Sequence, residues 1–323
     1  MLRDIYRTIA QSGESLKNLS VYNPLYIRRK GTRVKAIFAL GMVCFFWGTT
    51  WIASKEGVRH MPALQMVGIR QLAGGFLYVL FFLVRGAVLP KAKEWIPILV
   101  MSFLLFMMSN GLSTWGVQYI SAGLGAIIGA IFPLWLVVIG LFSSSSRIPL
   151  KAIVGLVLGF GGVCIIFYEH MLDFLNAGFR FGILLSLIAT WTWAFATIYT
   201  KKHEAGFNSY FSLGLQMFIS GVVLTAFTNI TGNVIPITAI PWQSWIAIAY
   251  LLIFGSIISF IAFIYALKNL PTAQASIYAY INPVVAVLLG WMLFGEKLTI
   301  FITIGGAVTL YGVWLVNKAY KVK

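Results

Sequence analysis

The sequence contains few charged residues, and acidic residues are the scarcest. Only 10% of its 323 residues are Asp, Glu, Lys or Arg, and eight of these are acidic. An ordinary soluble domain carries roughly 25% charged residues, which solvate its surface. Because 60% of the residues are hydrophobic, the composition excludes a soluble globule of this length and indicates a polytopic membrane protein.

Acidic residues and histidines are missing from the interiors of the long apolar segments. Beyond the first 33 residues they fall at predicted helix ends or in loops, at Glu56, Glu94, Glu169, Asp173, Glu204, Glu296, His60, His170 and His203. Metal sites and many membrane enzymes need clustered carboxylates or histidines, so we predict no catalytic residue, no metal and no cofactor. The pattern also argues against proton coupling through a buried carboxylate, while coupling elsewhere stays open.

Cysteine is scarce too, and the positive charge is not gathered into one patch. Cys44 and Cys164 lie inside separate apolar segments, where thiols act as small packing groups and do not indicate a disulfide framework. The net charge of +16 comes from residues between the apolar segments and at both ends, without an RNA- or DNA-binding motif. This distribution argues against a nucleic-acid partner and is typical of membrane topology determinants.

Residues 1–33 form a polar, basic leader. It lacks the apolar core of about 7–15 residues that a signal peptide carries, so we expect no cleavage. The spacing of Leu2, Ile5 and Ile9 leaves an interfacial amphipathic helix open. We favour a flexible tail that the basic cluster 28–35 holds on the cytoplasmic side.

The apolar residues fall into ten blocks, each long enough to cross a hydrocarbon core of roughly 30 Å as a helix. The predicted spans are Val34–Ser54, Pro62–Val84, Trp95–Tyr119, Ala122–Phe142, Leu150–Phe167, Phe181–Thr200, Ser209–Thr228, Trp242–Leu267, Gln274–Leu293 and Thr299–Asn317. The predicted fold class is therefore all-α integral membrane, with loops too short for an extramembrane domain.

Lys and Arg residues are unevenly divided between the two sides of this predicted bundle. Most lie in the leader, after even-numbered spans or at the C-terminal end, whereas the opposite side carries Lys55, Arg59, Arg180 and Lys297. The positive-inside rule then places both termini in the cytoplasm, for a multi-pass protein of the cell (inner) membrane.

The chain also repeats itself. At an offset of 150 residues the coincidences include Pro133/Pro283, Gly140/Gly290, Gly155/Gly305 and Gly162/Gly312. At an offset of 146 they include Trp47/Trp193, Lys55/Lys201, Gly68/Gly214 and Gly75/Gly221. Spans 1–5 (residues 34–168) thus correspond to spans 6–10 (residues 180–318). Because each unit has an odd number of spans, the two must insert in opposite directions, as in many secondary transporters.

Short motifs accompany the repeat, at Phe46–Thr50, Gly68–Gly74, Tyr265–Leu267, Pro271–Ala273, Asn282–Pro283 and Gly295–Lys297. In this order, over residues 34–317, they resemble the EamA family of the drug/metabolite transporter superfamily. The resemblance implies ten helices arranged as two inverted five-helix EamA units. One departure is Ser143–Arg147, which reads Ser-Ser-Ser-Ser-Arg where the family has Gly-Glu-Arg or Gly-Glu-Lys. We expect that loop to differ in shape.

Arg70 is the exception among the charged residues, because it lies well inside the second predicted span. A membrane Arg is costly unless it faces a cavity or a partner. It has two interpretations. Arg70 pairs with a carboxylate or phosphate of a substrate through its planar fork, or it snorkels outward or binds backbone carbonyls and so fixes helix packing.

The other candidates are polar and aromatic residues within the spans. With Arg70, the predicted substrate-binding residues are Trp47, Thr50, Asn110, Trp115, Trp193, Gln216, Tyr265, Tyr278 and Asn282. Such a set suits a small amphipathic molecule, although Trp and Tyr also form interfacial belts. Trp47 with Trp193, and Trp115 with Tyr265, occupy equivalent places in the repeats, so we expect each pair to meet across the pseudo-twofold axis.

Pro133 and Pro283 lie mid-helix in equivalent spans and are either hinges for alternating access or static kinks. The glycine rows Gly125/Gly129 and Gly155/Gly159 are predicted to let helices approach closely.

The repeats and the resemblance together predict a secondary transporter, and not an enzyme, that moves a small organic metabolite by alternating access. The resemblance favours export of an amino acid or related compound. One alternative is a carrier of nucleotide sugars or other phosphorylated solutes, which would need more basic residues than Arg70; others are a lipid flippase and a membrane scaffold without transport. The expected partners are the substrate and the lipid bilayer, and a homo-oligomer is left open.

Overall fold

The computed structural model describes residues 25–143, 149–203, 208–270 and 278–319, which form helices and short connections without a β-strand. The helices are α1 (Leu25–Gly57), α2 (Ala63–Val84), α3 (Ala92–Gly116), α4 (Ala122–Ala130 and Phe132–Ser143), α5 (Leu150–Glu169), α6 (Ala177–His203), α7 (Ser209–Ile230), α8 (Trp242–Asn269), α9 (Tyr278–Phe294) and α10 (Ile300–Ala319). Single 3₁₀ turns occur at Asp173–Leu175 and Ile237–Ala239. The protein is therefore all-helical over these ranges.

Nine of these helices are long and apolar enough to span a membrane within the part of the chain that is described. α9 is a shorter apolar helix of 17 residues, about 26 Å long at 1.5 Å per residue. It follows residues 271–277, which lie outside the described ranges together with the motif Pro271–Ala273. Most of the leader and residues 144–147 of the divergent serine loop also lie outside them. The count of ten spans stays a prediction.

α1 begins at Leu25, well before the predicted start of the first span. The basic cluster that we assigned to a leader tail is therefore a continuation of the first membrane helix. Lys and Arg are good helix formers, and a spanning helix does not have to end where the apolar run ends.

α3 and α8 each contain a π-helical segment, Ser102–Gly111 and Leu251–Ile258, at corresponding places in the two sequence repeats. A π-helix disturbs the regular i to i−4 hydrogen bonds, and such segments are frequent at functional sites. Side chains from other helices bond to carbonyl oxygens here: Gln71 Nε2 donates to Phe106 O (3.0 Å) and Tyr78 Oη donates to Ile257 O (3.1 Å). The wider segments are therefore tied to α2.

α2 packs along α7 in antiparallel direction, with backbone against backbone. A Cβ built on Gly75 would lie 2.5 Å from the Cα of Phe218, and a Cβ built on Gly221 would lie 2.5 Å from the Cα of Leu72. Leu72 and Phe218 are themselves equivalent in the 146-residue repeat. The contact is thus reciprocal, as in the isologous interface of a two-fold dimer.

α5 packs along α10 in the same manner. A Cβ on Gly155 would lie 2.6 Å from the carbonyl oxygen of Gly312, and a Cβ on Gly305 would lie 2.6 Å from that of Gly162. All four residues are equivalent pairs at the 150-residue offset. The two closest helix pairs of the bundle therefore both contact each other reciprocally and run antiparallel.

The remaining helices pack in matching pairs. α1 contacts α8 and α9, α6 contacts α3 and α4, and α4 contacts α9. Large apolar side chains such as Phe38, Trp291 and Trp314 are exposed on the outside of the bundle. A lipid bilayer covers such side chains at no hydrophobic cost, so these faces are suited to the hydrocarbon core.

The glycine contacts predict that alanine substitutions at two adjacent residues of α5 affect stability very differently. A Cβ on Gly162 would lie 2.5 Å from the backbone nitrogen of Thr309, whereas a Cβ on Gly161 would meet nothing within 4 Å. We expect Gly162→Ala to destabilise the protein by about 1–3 kcal/mol, since overpacking forces the backbones apart. Gly161→Ala should be neutral or stabilising, because Ala favours helix. Thermal unfolding of the purified variants in detergent measures both, and equal shifts would contradict the proposed close contact.

Candidate functional site

A cavity of about 170 Å³ lies among α1, α2, α3, α4, α6, α8 and α9. It lies between two groups of buried side chains. Cluster A consists of Ala36, Ala39, Leu40, Val43, Cys44, Trp47, Tyr78, Phe106, Phe132, Leu213, Met217, Phe260, Ala262, Ala266, Leu270, Tyr278 and Ala279. Cluster B consists of Val58, Met61, Ala63, Met66, Val117, Ile240, Ile248 and Leu251.

The order of the two clusters along single helices shows where the cavity lies along those helices. On α1, cluster A ends at Trp47, the lining runs to Ser54, and cluster B starts at Val58. On α8 the order is reversed, from Leu251 of cluster B to the lining residue Gly255 and on to cluster A. The cavity therefore lies between the two clusters along both helices, near the middle of α8 and in the C-terminal third of α1.

Aromatic rings form the wall that the cavity shares with cluster A. The Trp47 ring meets the rings of Trp193 (6.0 Å, 89°), Phe260 (5.2 Å, 71°) and Tyr278 (5.1 Å, 80°), mostly edge to face. Its indole Nε1 donates to the carbonyl oxygen of Gly255 (3.2 Å), in the π-helical segment of α8. Such pairs are worth about 0.5–1.5 kcal/mol beyond burial. The wall is a largely apolar surface in which the indole nitrogen of Trp47 has a hydrogen-bond partner.

Arg70 enters the cavity from α2 and is the only charged residue among the described ones that line it. Its side chain is 6% exposed. It donates from Nη2 to Oδ1 of Asn110 on α3, while its Nε is buried without a hydrogen-bond partner. The described residues provide it with no ion pair. The cavity therefore contains a buried cation that is hydrogen-bonded to a neutral amide and has no anionic partner among the described residues.

The contact between α1 and α9 also borders the cavity, through Asn282. In the orientation that satisfies its hydrogen bonds, the Asn282 amide donates to the carbonyl oxygens of Cys44 (2.8 Å) and Tyr278 (3.0 Å). A Cβ on Gly48 would lie 2.8 Å from Cγ1 of Val285. Motif residues from the two ends of the chain thus form one helix contact, between α1 and α9.

A family model described as the EamA-like transporter family matches residues 34–168 and 180–318. The chain belongs to this family. The resemblance carried by the sequence motifs is thereby confirmed, and the protein is a membrane transporter, which is not an enzyme class.

Relatives of this EamA-like transporter come from distant organisms. The uncharacterized inner membrane transporter YedA of Escherichia coli K12 is 34% identical, over 87% of this chain and 89% of that protein. The uncharacterized transporter YoaV of Bacillus subtilis is 26% identical, over 87% and 96% respectively. A solved crystal structure superposes with a TM-score of 0.61 over 89% of this chain and 97% of that chain, at 14% identity, which shows the fold alone.

Most of the predicted site residues of this EamA-like transporter come together. The predicted residues that line the cavity are Trp47, Thr50, Arg70, Asn110, Trp193, Tyr278, Asn282 and Pro283. Trp47 and Trp193 meet, as their equivalence in the repeats predicts.

Four predicted residues lie away from the lining. Trp115 packs edge-on against Phe181 beside cluster B, while Tyr265 packs against cluster A. Gln216 donates to Ser212 Oγ within α7. Pro133 is buried in α4, just after the helix is interrupted between Ala130 and Phe132. The expectation that Trp115 and Tyr265 face each other is not met by these positions.

Several lining residues were not predicted. They include Ser54, Phe106, Phe132, Ser186, Thr190, Ser256 and Phe260. For some of them the repeat offsets could have predicted a place in the lining. Phe132 is equivalent to Asn282, and Ser256 is equivalent to Asn110, so the repeat partners of two predicted residues also line the cavity.

The turn between α3 and α4 is held from both sides. Lys55 Nζ donates to the carbonyl oxygens of Val117 (2.8 Å) and Ile120 (2.7 Å) before the turn. Glu296, from the Gly-Glu-Lys motif, accepts from the backbone nitrogens of Ala122 (2.7 Å) and Gly123 (3.1 Å) after it. An acidic group at a helix N-terminus and a basic group at a C-terminus both complement the helix dipole. Glu296 thus fixes the start of α4, which lines the cavity.

Removing this cap should destabilise the EamA-like transporter. We expect Glu296→Ala to lower the free energy of unfolding by about 1–3 kcal/mol, because two backbone N–H groups lose a charged acceptor. Lys297→Ala is the matched control, since Lys297 is exposed and adjacent in the chain. Thermal unfolding in detergent compares them, and an unchanged midpoint for Glu296→Ala would show that the cap contributes nothing.

Proposed function

We propose that the chain is a secondary transporter that moves a small organic metabolite, an amino acid or related compound, by alternating access and in the direction of export. The observation that supports this proposal is the cavity between the apolar clusters A and B. A carrier of this kind needs a central site with a separable apolar layer on each side, so that parting one layer opens the site to one compartment.

We further propose that the two five-helix units are inverted repeats. The support comes from the reciprocal glycine contacts of α2 with α7 and of α5 with α10. A two-fold axis that makes equivalent helices antiparallel must lie across them, and therefore in the membrane plane if the helices span the bilayer. Such an axis is the usual one in inverted-repeat transporters.

The orientation and the hinges are part of the same proposal. The excess of Lys and Arg on one side supports cytoplasmic termini in the cell (inner) membrane. The interruption of α4 just before Pro133 supports a hinge there, because proline cannot donate the next helical hydrogen bond. At Pro283 the helix α9 is continuous, and the proposed hinge has less support.

A carrier of phosphorylated solutes has less support than a carrier of amino acids or related compounds. A phosphate group bears close to two negative charges at neutral pH. Among the described lining residues Arg70 is the only cation, so the cavity would leave part of that charge unpaired.

Transport in reconstituted vesicles tests the proposal. Uptake and efflux of a panel of labelled amino acids are measured for the wild type, Arg70→Ala, Trp193→Ala and the control Arg180→Ala, whose side chain is exposed. We expect Arg70→Ala to slow transport about tenfold or more, since a charged hydrogen bond is worth about 1.5–3 kcal/mol. Trp193→Ala should impair it through loss of the aromatic wall, and Arg180→Ala should match the wild type.

The outcomes separate the parts of the proposal. If no amino acid moves in wild-type vesicles, the amino-acid assignment is wrong while the family membership remains. If Arg70→Ala transports normally, Arg70 is structural and the binding groups belong to the aromatic wall.

A further inference from the structure

The charge of the cavity points to the charge of its ligand. A guanidinium carries five N–H donors and no acceptor. At Arg70 one of these is satisfied by Asn110, and the buried Nε has no partner. A buried charge is costly unless it is paired and hydrogen-bonded. The guanidinium therefore has unpaired donors, of which Nε is closed off from the cavity, and the described residues provide no anion that would offset its burial.

The described part of the chain does not supply this anion. No Asp or Glu lies among the described residues that line the cavity. The polar groups there are neutral, and several hydroxyls are already bonded to carbonyl oxygens of their own helices, such as Thr50 to Trp47 O (2.7 Å) and Thr190 to Ser186 O (2.7 Å). An ammonium group entering this cavity would find no carboxylate and would share the space with a cation.

Whereas Arg70 favours an anionic group, the wall of Trp47, Trp193, Phe260 and Tyr278 favours an apolar one. These rings are packed against one another, and the indole nitrogen of Trp47 is already bonded to Gly255. They offer a ligand mainly apolar faces and edges, which favour an aliphatic or aromatic group.

We propose that the cavity selects a monovalent organic anion: a carboxylate with an apolar or aromatic body and no ammonium group. The carboxylate binds the two terminal nitrogens of Arg70, in the bidentate geometry that the guanidinium fork provides, and the body lies against the wall of Trp47 and Trp193. This inference rests on the proposed function in taking the cavity as the substrate site. Among amino acids and related compounds, it singles out the acids that lack the amino group.

A series of phenyl compounds that differ in the charge of their polar group tests the proposal without any mutation. The purified full-length protein is titrated with 3-phenylpropanoate (anion), 3-phenylpropanamide (neutral), L-phenylalanine (zwitterion), 2-phenylethylamine (cation) and phenyl phosphate (mostly a dianion at neutral pH), and binding is followed by tryptophan fluorescence and thermal shift. We expect 3-phenylpropanoate to bind at least about tenfold more tightly than each of the other four. Equal or tighter binding of L-phenylalanine, or equal binding of the amide, would overturn the proposal.

Variants then locate the preference. In Arg70→Gln the ratio of acid to amide affinity should fall towards one, whereas Arg70→Lys should keep a reduced preference for the acid and Arg180→Ala should keep all of it. If Arg70→Gln does not fold, Arg70→Lys and the wild-type ligand series still decide. An acid preference that persists in Arg70→Gln would place the anion elsewhere.

Transport of the same compounds separates this inference from the proposed function. If 3-phenylpropanoate binds through Arg70 but is not transported across the membrane of reconstituted vesicles, the proposed ligand class stands. The proposal that the protein transports this ligand is then wrong. If L-phenylalanine is transported and 3-phenylpropanoate does not bind, the ligand class is wrong and the transporter proposal stands.

Discussion

The architecture depends on two backbone-to-backbone contacts, between α2 and α7 and between α5 and α10. At Gly75, Gly221, Gly162 and Gly312 there is no room for a methyl group, so each helix pair has one register and one separation. Among the described residues, α5, α7 and α10 contribute nothing to the cavity lining. They pack beside the helices that do, and the glycines fix how closely α2 lies against α7 and α5 against α10.

The scaffold is close to two-fold in its contacts, but the chemistry of the cavity is not. Arg70 is equivalent to Gln216 in the repeat. Arg70 lines the cavity, whereas Gln216 bonds within α7 to Ser212. Duplication supplies a symmetric frame around the cavity, and the one charged side chain among its described lining residues comes from a place where the two copies have diverged. The repeat therefore accounts for the frame of the cavity, and the divergence accounts for its charge.

The sequence was sufficient for the helices, the family and much of the lining, and its failures have physical causes. Equivalence in the repeats correctly paired Trp47 with Trp193, but it failed for Trp115 and Tyr265, which lie beside different clusters. A two-fold axis brings equivalent residues together only when they lie close to it. The residue offset between the repeats does not tell how far a residue lies from that axis. The π-helical segments were also missed, because a helix that is apolar all round has no polar face whose period could reveal a change of pitch.

The two ends of the bundle differ although the helices match. Glu296 caps α4 through two backbone nitrogens at one end. Its repeat partner at the 150-residue offset is Ser146, a neutral residue that has no carboxylate to offer to a helix N-terminus. Parting the turn after α9 from the start of α4 therefore costs two charge-assisted hydrogen bonds that a residue like Ser146, at the equivalent position, cannot make. Under alternating access, the outward-facing state and the inward-facing state would then differ in free energy, and so in population.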